Sequence, residues 1–352
     1  MSMIPTYNTA YPKRRNHSPI VWCRRASRTA IIQPGLPFGR RRYLFERRRA
    51  VAHVIEADFP NAERPNAERG ILSELKTSSI ACLNLSPVPG HVSGNLRMAE
   101  KAILEARREE PALSWIVLPE LVTCGYSNLE SVHRYAEDAA YGESARFFAG
   151  LAQDLGIHIA YGFPEVVPGT IAGVFDSANL VGPEGVLATY RKRNLVRTTA
   201  EYRVFTPGTE LPVVDVDGVW VALAICWDLG FPEVVREAAM SGADLILAPA
   251  AWRAPWGPQY DLSCAARALD SGVYVASANQ LGSYSEVRFD APGHVHGPDG
   301  QRVSRSVGAA SIGEMDPDAP GRWRALYGNT VIEDEKVTVI GEEPLELSAI
   351  SG

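Results

Sequence analysis

No CxxC pair occurs in the 352 residues, and the five cysteines show no paired spacing. That excludes a disulfide framework and a thiolate zinc site, and leaves reduced thiols in a cytoplasmic protein as the expectation. No apolar run approaches the roughly 20 residues that cross a bilayer, so no membrane partner is expected. Charged residues make up 22% and the formal net charge is −6, a balance that gives the chain as a whole no attraction to nucleic acid. The seven histidines lack any local signature of a catalytic base. His294-x-His296 has no evident third ligand and, on a hairpin, reads as an exposed pair, so no metal site is expected. What is present in quantity is hydrophobic sequence, 46% of the chain, enough for one large core or two small ones.

The charge is unevenly spread. Residues 1–77 hold fifteen Lys and Arg against six Asp and Glu, so the rest of the chain carries an excess of fifteen negative charges. Lys13-Arg14-Arg15, Arg40-Arg41-Arg42 and Arg47-Arg48-Arg49 punctuate this leader, and Pro60 to Arg64 is repeated as Pro65 to Arg69. It lacks the apolar centre of a signal peptide. We read 1–77 as a basic, poorly ordered extension with some helix around Tyr43 to Ile55. A folded domain is read over 78–327 and an acidic tail over 328–352, where Val337 to Ile340 is a candidate strand.

From Ser79 onward short apolar runs alternate with amphipathic stretches. Strands are expected at Ile80–Leu85, Trp115–Leu118, Ile157–Phe163, Val219–Cys226, Asp244–Pro249, Val273–Ala278 and Ala310–Met315. Helices are expected after an Asn95 cap, at Ser144–Leu155 closed by Gly156, at Pro232–Met240 and at Tyr260–Asp270. Asp176–Val181 and Val186–Arg191 form a hairpin around Gly182 to Gly185, and a later hairpin turns at Pro298-Asp299-Gly300. Hairpins among alternating strands and helices imply an α/β fold with mixed sheets.

Three reactive side chains fall at strand ends, where catalytic groups of α/β proteins converge. Cys226 closes an apolar run, where a cysteine is ordinarily a small core residue. The sequence then turns at once into a helix with Pro232 near its start, an elbow that lifts a thiol out of the sheet beside free N–H groups. Such donors lower a thiol pKa and hold an oxyanion. Glu120 follows a buried run and a proline, a desolvated setting that suits a general base. Lys192 lies in Arg191-Lys192-Arg193, which taken alone reads as a solvated cationic face. Glu201 precedes a turn-like stretch and alone carries no signal. Without a histidine partner for the thiol, a Glu/Lys/Cys site is the better reading. Cys124 and Cys264 read as packing residues.

Taken in order, Leu118-Pro119-Glu120 with Gly125-Tyr126, Tyr190-Arg191-Lys192, Glu201 before Phe205-Thr206-Pro207-Gly208, and Cys226-Trp227-Asp228 before Phe231-Pro232-Glu233 resemble the nitrilase superfamily of carbon–nitrogen hydrolases. The resemblance runs from Ser79 to Tyr327, roughly 70% of the chain. It implies a four-layer αββα sandwich paired as a homodimer or larger homo-oligomer, with no metal or organic cofactor. It implies Glu120 as general base, Cys226 as nucleophile, Lys192 and the backbone N–H of Trp227 as oxyanion donors, and Glu201 as a supporting carboxylate. Tyr126, Trp252 and Trp256 are candidate pocket walls. Asp228 after the Cys-Trp pair resembles the amidase and carbamoylase branches, implying a small amide or N-carbamoyl substrate; nitrile hydrolysis and a non-catalytic binding or assembly role are the alternatives. A nucleic-acid-binding role for the basic leader is a third alternative. Two departures stand out: Asn194 where the family commonly has histidine, and His294 and His296 where a small residue is usual.

Overall fold

The computed structural model describes residues 78–167 and 173–326. The basic extension, its expected helix, the acidic tail and the strand over Val337 to Ile340 lie outside the described residues. In chain order the elements are β1 (Ser78–Leu83), α1 (Val92–Glu109), β2 (Leu113–Val117), a 3-10 segment (Tyr126–Arg134), α2 (Glu143–Leu155) and β3 (His158–Glu165). Then come β4 (Phe175–Gly182), β5 (Gly185–Arg191), α3 (Glu201–Val204), β6 (Val213–Val216), β7 (Val219–Leu223), a 3-10 turn (Cys226–Gly230), α4 (Pro232–Met240) and β8 (Leu245–Ala250). The remainder comprises α5 (Gly257–Ser271), β9 (Tyr274–Asn279), β10 (Gly282–Tyr284), β11 (Val287–Phe289), β12 (Val295–His296), β13 (Ser304–Val307), β14 (Ala310–Met315) and α6 (Ala319–Leu326).

Two sheets carry the architecture. A seven-stranded sheet runs β13-β14-β1-β2-β3-β4-β5 and a five-stranded sheet runs β12-β9-β8-β7-β6. Both are mixed: β1, β2 and β3 are mutually parallel, as are β7, β8 and β9, while β4, β5, β6, β12, β13 and β14 join antiparallel. The central strands read as continuous apolar runs because both of their faces are covered, whereas the edge strands β13 and β6 are partly exposed. In β1, Ile80 and Cys82 pack toward β7 and β8, whereas Ala81 and Leu83 pack with Leu96, Ala99 and Ile103 of α1 and Phe148 and Ala152 of α2. On the far side Val234, Val235 and Ala238 of α4 and Cys264 and Ala268 of α5 close over the second sheet. The layers are therefore α, β, β, α. Fully burying side chains of this size is worth about 1.5–3 kcal/mol each, so the order of layers follows from which faces are apolar.

Several boundaries match the pattern in the sequence. Gly156 ends α2 with φ 61, a left-handed cap that a side chain would strain. Others differ for identifiable reasons. Asn95 is not a cap but lies inside α1, buried. Its amide instead ties Val88 through both N–H (2.8 Å) and carbonyl (2.9 Å) and reaches the Thr123 carbonyl (3.0 Å). The strand expected to run to Cys226 ends at Leu223. β6, β10, β11, β13 and α6 went unforeseen. α6 docks through Arg324, which bonds Asp244 at 3.2 Å and the Ala243 carbonyl at 2.6 Å. Among the described residues no helix is long and apolar enough to cross a membrane. Cys82, Cys124, Cys226 and Cys264 are free thiols, all buried.

His294 and His296 are buried rather than exposed, with 5% and 2% of their surface accessible. His296 Nε2 lies 3.4 Å from Asp261, which also pairs with Arg302 at 2.9 Å. His294 Nδ1 sits 3.4 Å from the Ser304 hydroxyl. Burial, aided by the Arg302 charge, pushes the His294 imidazole down to about 4. A base whose folded value lies below its unfolded value of about 6.5 binds its proton first in the unfolded chain, so stability falls as pH drops from about 6.5 toward 4. Thermal melts of His294→Gln should show a shallower loss of Tm across that window than wild type; parallel curves would refute the assignment.

Candidate active site

Each of the four candidate residues is delivered by a break in regular structure. Glu120 follows β2 on a turn whose next residue, Leu121, has φ 49. Its backbone N–H reaches the Ala250 carbonyl at 3.3 Å, and its own carbonyl accepts from Gln280 Nε2 at 2.9 Å. Ala250 ends β8 and Gln280 directly follows β9, so this turn is pinned against the second sheet. Lys192 follows β5, its N–H on the Asp176 carbonyl at 2.8 Å and its carbonyl accepting from Gly208 at 2.8 Å. Glu201 opens α3. Cys226 begins the 3-10 turn after β7 with φ 45, a conformation that costs a non-glycine residue of order 1–3 kcal/mol and persists where the surroundings enforce it.

Asp228 supplies that enforcement. Its Oδ2 accepts from the Ile225 N–H (3.0 Å) and the Tyr190 hydroxyl (2.9 Å); its Oδ1 accepts from the backbone and side-chain nitrogens of Asn194, both at 2.9 Å. The thiol elbow and the loop after Lys192 are thus fastened to one carboxylate. The departure at Asn194 has a structural role here as a donor to Asp228.

The four side chains converge, and a fifth joins them. Lys192 Nζ lies 2.5 Å from Glu120 Oε1, 2.9 Å from Glu201 Oε1 and 3.4 Å from Asp176 Oδ2. Lys192, Glu120 and Glu201 have no accessible surface and Asp176 only 1%. The cationic run is therefore not a solvated face: Arg191 grips Glu165, Arg193 pairs with Glu237, and Lys192 points inward. Burial alone would lower the Lys192 ammonium, but Glu120, Glu201 and Asp176 together raise it well above the usual lysine value. Burial would raise Glu201, yet Lys192, the Tyr126 hydroxyl and the Val196 N–H bring it below its usual value. Tyr126, a candidate pocket wall, is buried and donates its hydroxyl to Glu201.

The thiol departs from expectation. Burial, reinforced by the Glu120 charge and opposed by Lys192, raises Cys226 well above the usual thiol value. The Ala251 N–H pulls the other way but does not overcome desolvation, so the resting sulfur is a neutral thiol that needs a base. The carboxylates of Glu120, Asp176 and Glu201 lie within 4.8 Å of one another, close enough to suit a metal ion. The Lys192 ammonium, within 3.4 Å of all three, already supplies the positive charge there.

Residues 79–340 match the carbon–nitrogen hydrolase family. The chain belongs to this family, within the nitrilase superfamily. A hydrolase encoded beside pqqF in Pseudomonas protegens is 34% identical over 75% of this chain and 91% of its own length. A probable nitrilase of Schizosaccharomyces pombe is 31% identical over 64% of this chain and 83% of its own. Among solved structures, an amidase from Nesterenkonia superposes with TM-score 0.60 at 28% identity, covering 72% of this chain and 95% of that one. A branch 10 nitrilase-superfamily protein of Saccharomyces cerevisiae reaches TM-score 0.67 at 24% identity over 72% and 96%, a likeness of fold.

In this carbon–nitrogen hydrolase the Glu120 turn rests directly on β3. A Cβ added at Gly162 would meet Leu121 N at 2.5 Å and Glu120 Cα at 2.6 Å, both backbone. Gly162→Ala should displace Glu120 and lower kcat by about 10–100-fold, since misplacements near 1 Å carry costs of that order. Unchanged kcat with an intact melt would show that the turn can slide. Trp227, next to Cys226 in sequence, and Trp252 have ring centroids 5.2 Å apart, and Phe231 meets Trp227 edge-on at 5.6 Å. Trp252 is buried and held by Asn279, while Trp227 and Phe231 are each 36% exposed. Trp256 is exposed at 57% and Cys264 is packed in the core. Cys124 is buried beside Leu121 and Tyr126.

Sequence reasoning missed Asp176, Asp228's four-donor clamp and the Tyr126–Glu201 bond. Asp176 did carry a signal: an acid inside the fully buried strand β4 is rare unless partnered.

Proposed function

We propose that this protein hydrolyses a small primary amide or N-carbamoyl compound through a thioester on Cys226. The observation that carries the reading is the sealed contact of Lys192 with both Glu120 and Glu201 beside a neutral thiol on a strained elbow. Glu120 takes the Cys226 proton as sulfur attacks the carbonyl carbon. Lys192 and the Trp227 N–H stabilise the oxyanion, a single such donor being worth about 3–4 kcal/mol. As the tetrahedral adduct collapses, Glu120 returns the proton to the leaving nitrogen and ammonia departs. Water then loses a proton to Glu120, attacks the thioester, and the acid leaves with the thiol restored. Glu201, held by Tyr126 and Val196, positions Lys192. Trp252 lines the acyl side. A 2-oxoglutaramate amidase of Bacillus subtilis, 30% identical over 60% of this chain and 79% of its own, and an (R)-stereoselective amidase of Pseudomonas, 26% identical over 75% and 93%, support the amidase-like branch. The active form in this proposal is a homo-oligomer.

Ammonia release from primary amides, ω-amides, N-carbamoyl amino acids and nitriles should appear in one amide or carbamoyl class and vanish in Cys226→Ala. Turnover of nitriles alone would replace the substrate assignment, and activity surviving in Cys226→Ala would overturn the mechanism.

A further inference from the structure

Three carboxyl groups and one ammonium share a volume from which solvent is excluded. With all three ionised the cluster would carry two uncompensated negative charges beside a thiol. Isolated buried charge of that kind costs far more than the uptake of a proton, so one carboxyl must be neutral. The hydrogen bonds say which. Glu201 accepts from Lys192, Tyr126 and Val196, a set that only a carboxylate satisfies fully. Glu120 accepts from Lys192 through Oε1, leaving Oε2 without a donor. Neither Asp176 oxygen receives a hydrogen bond, and Oδ2 stands off at 3.4 Å from the ammonium. Asp176 and Glu120 therefore face each other as acceptor against acceptor in a dry site. A single proton between them turns that clash into a donor–acceptor pair.

We propose that Asp176 is a carboxylic acid in the resting enzyme, donating its proton as a hydrogen bond to Glu120 and so holding Glu120 as the charged, oriented base. Asp176 is a positioning residue that acts through Glu120. Its surroundings agree from every side: Glu120 on the turn after β2, Lys192 after β5, Glu201 at α3, and the Cys124 thiol. Burial and then the Glu120 charge push its carboxyl well above the usual aspartate value, outweighing Lys192. The proton does no net chemistry; it stays on Asp176 while Glu120 cycles. The charge state rests on geometry alone, whereas its consequence for turnover rests on the reading of Glu120 as the base.

The test labels the side-chain carboxyl carbon of aspartate, and separately of glutamate, with carbon-13 in the full chain. At neutral pH wild type should show a protonated aspartic acid signal by infrared or NMR, lost in Asp176→Asn and transferred to the glutamate label in Asp176→Glu. A protonated signal borne by glutamate in wild type, or none in either label, overturns the proposal even if neither variant folds. Kinetics add a sign. Removing a donor to Glu120 raises its basicity, so Asp176→Leu should move the acid limb of kcat/KM to higher pH, with about a ten-fold fall on that side. Asp176→Asn, whose amide offers the same donor, should move the limb back. A shift to lower pH in both variants would mean that a negative neighbour had been lost, and would overturn the neutral assignment. Because the labels read protonation without substrate, a silent amide panel beside a clear aspartic acid signal sinks the hydrolytic reading and spares this one.

Discussion

Lys192→Met should lower kcat by at least about 100–1,000-fold, the cost of one oxyanion donor, and weaken the folded state by about 3–5 kcal/mol. The two losses have one origin. Lys192 has no accessible surface and contacts Glu120, Glu201 and Asp176 within 3.4 Å. A buried ion network is not in itself a source of stability, since desolvation offsets the attraction. Removing the cation alone is different, because it leaves carboxylates in a dry site with no counter-charge. The variant should respond by taking up protons. Glu201, held below its usual value in wild type, contributes stability that is present above about pH 4.3, the unfolded value, and lost as pH falls through the lower folded value. That contribution disappears with Lys192. The Tm gap between wild type and Lys192→Met should therefore be widest near neutral pH and narrow on acidification, with the Glu201 share lost below about pH 4.3. A gap that stays constant with pH would mean that the loss comes from packing of the lysine stem. Circular dichroism melts across pH, paired with single-substrate kinetics, separate the two.

How much of this was legible in the sequence depends on what each residue does. The strands were readable because an apolar run bounded by turn residues means a strand whatever it packs against, and α4 and β14 fall where the periodicity places them; the four-layer stacking came from the family resemblance. Glu120 and Cys226 stand out locally because each follows a buried apolar run, whereas Lys192 and Glu201 carry no signal of their own and were singled out only through the family resemblance. β6 was missed although Asp217-Gly218, at φ 53 and 86, is the pair that a tight hairpin demands. α6 was missed because Asp316 to Gly321 is dense in turn and helix-breaking residues. The roles that escaped are those created by convergence. Nothing near Tyr126 says that its hydroxyl meets a carboxylate 75 positions away, and nothing in Arg191-Lys192-Arg193 says that the middle cation turns inward while its neighbours find Glu165 and Glu237. The thiol's protonation is of the same kind: the balance of burial and Glu120 against Lys192 and the Ala251 N–H is a property of the assembled site.

Glu120→Gln should keep the fold and lose the chemistry. The substitution preserves shape, leaves an amide oxygen for Lys192 to bond, and removes one negative charge from a cluster that holds an excess of them. Its Tm should therefore equal or exceed that of wild type. Its kcat should fall by about 10²–10⁴-fold, the usual worth of a positioned general base. The loss should be large here because Cys226 is raised well above the usual thiol value by burial and the Glu120 charge, so the resting enzyme holds scarcely any thiolate to act unaided. The sign of the pH dependence follows. In wild type the base supplies the thiolate on demand, so kcat/KM should not climb in step with ionisation of a free thiol. In Glu120→Gln the thiol must ionise on its own, so the residual rate should climb with pH through the whole range in which the protein stays folded. Part of the upward pressure on the thiol also goes with the Glu120 charge, so iodoacetamide should alkylate Cys226 at a lower pH midpoint in the variant than in wild type. A flat, low pH profile together with an unchanged alkylation midpoint would show that Glu120 neither takes the thiol proton nor senses the sulfur, and the base would then have to be sought in Glu201.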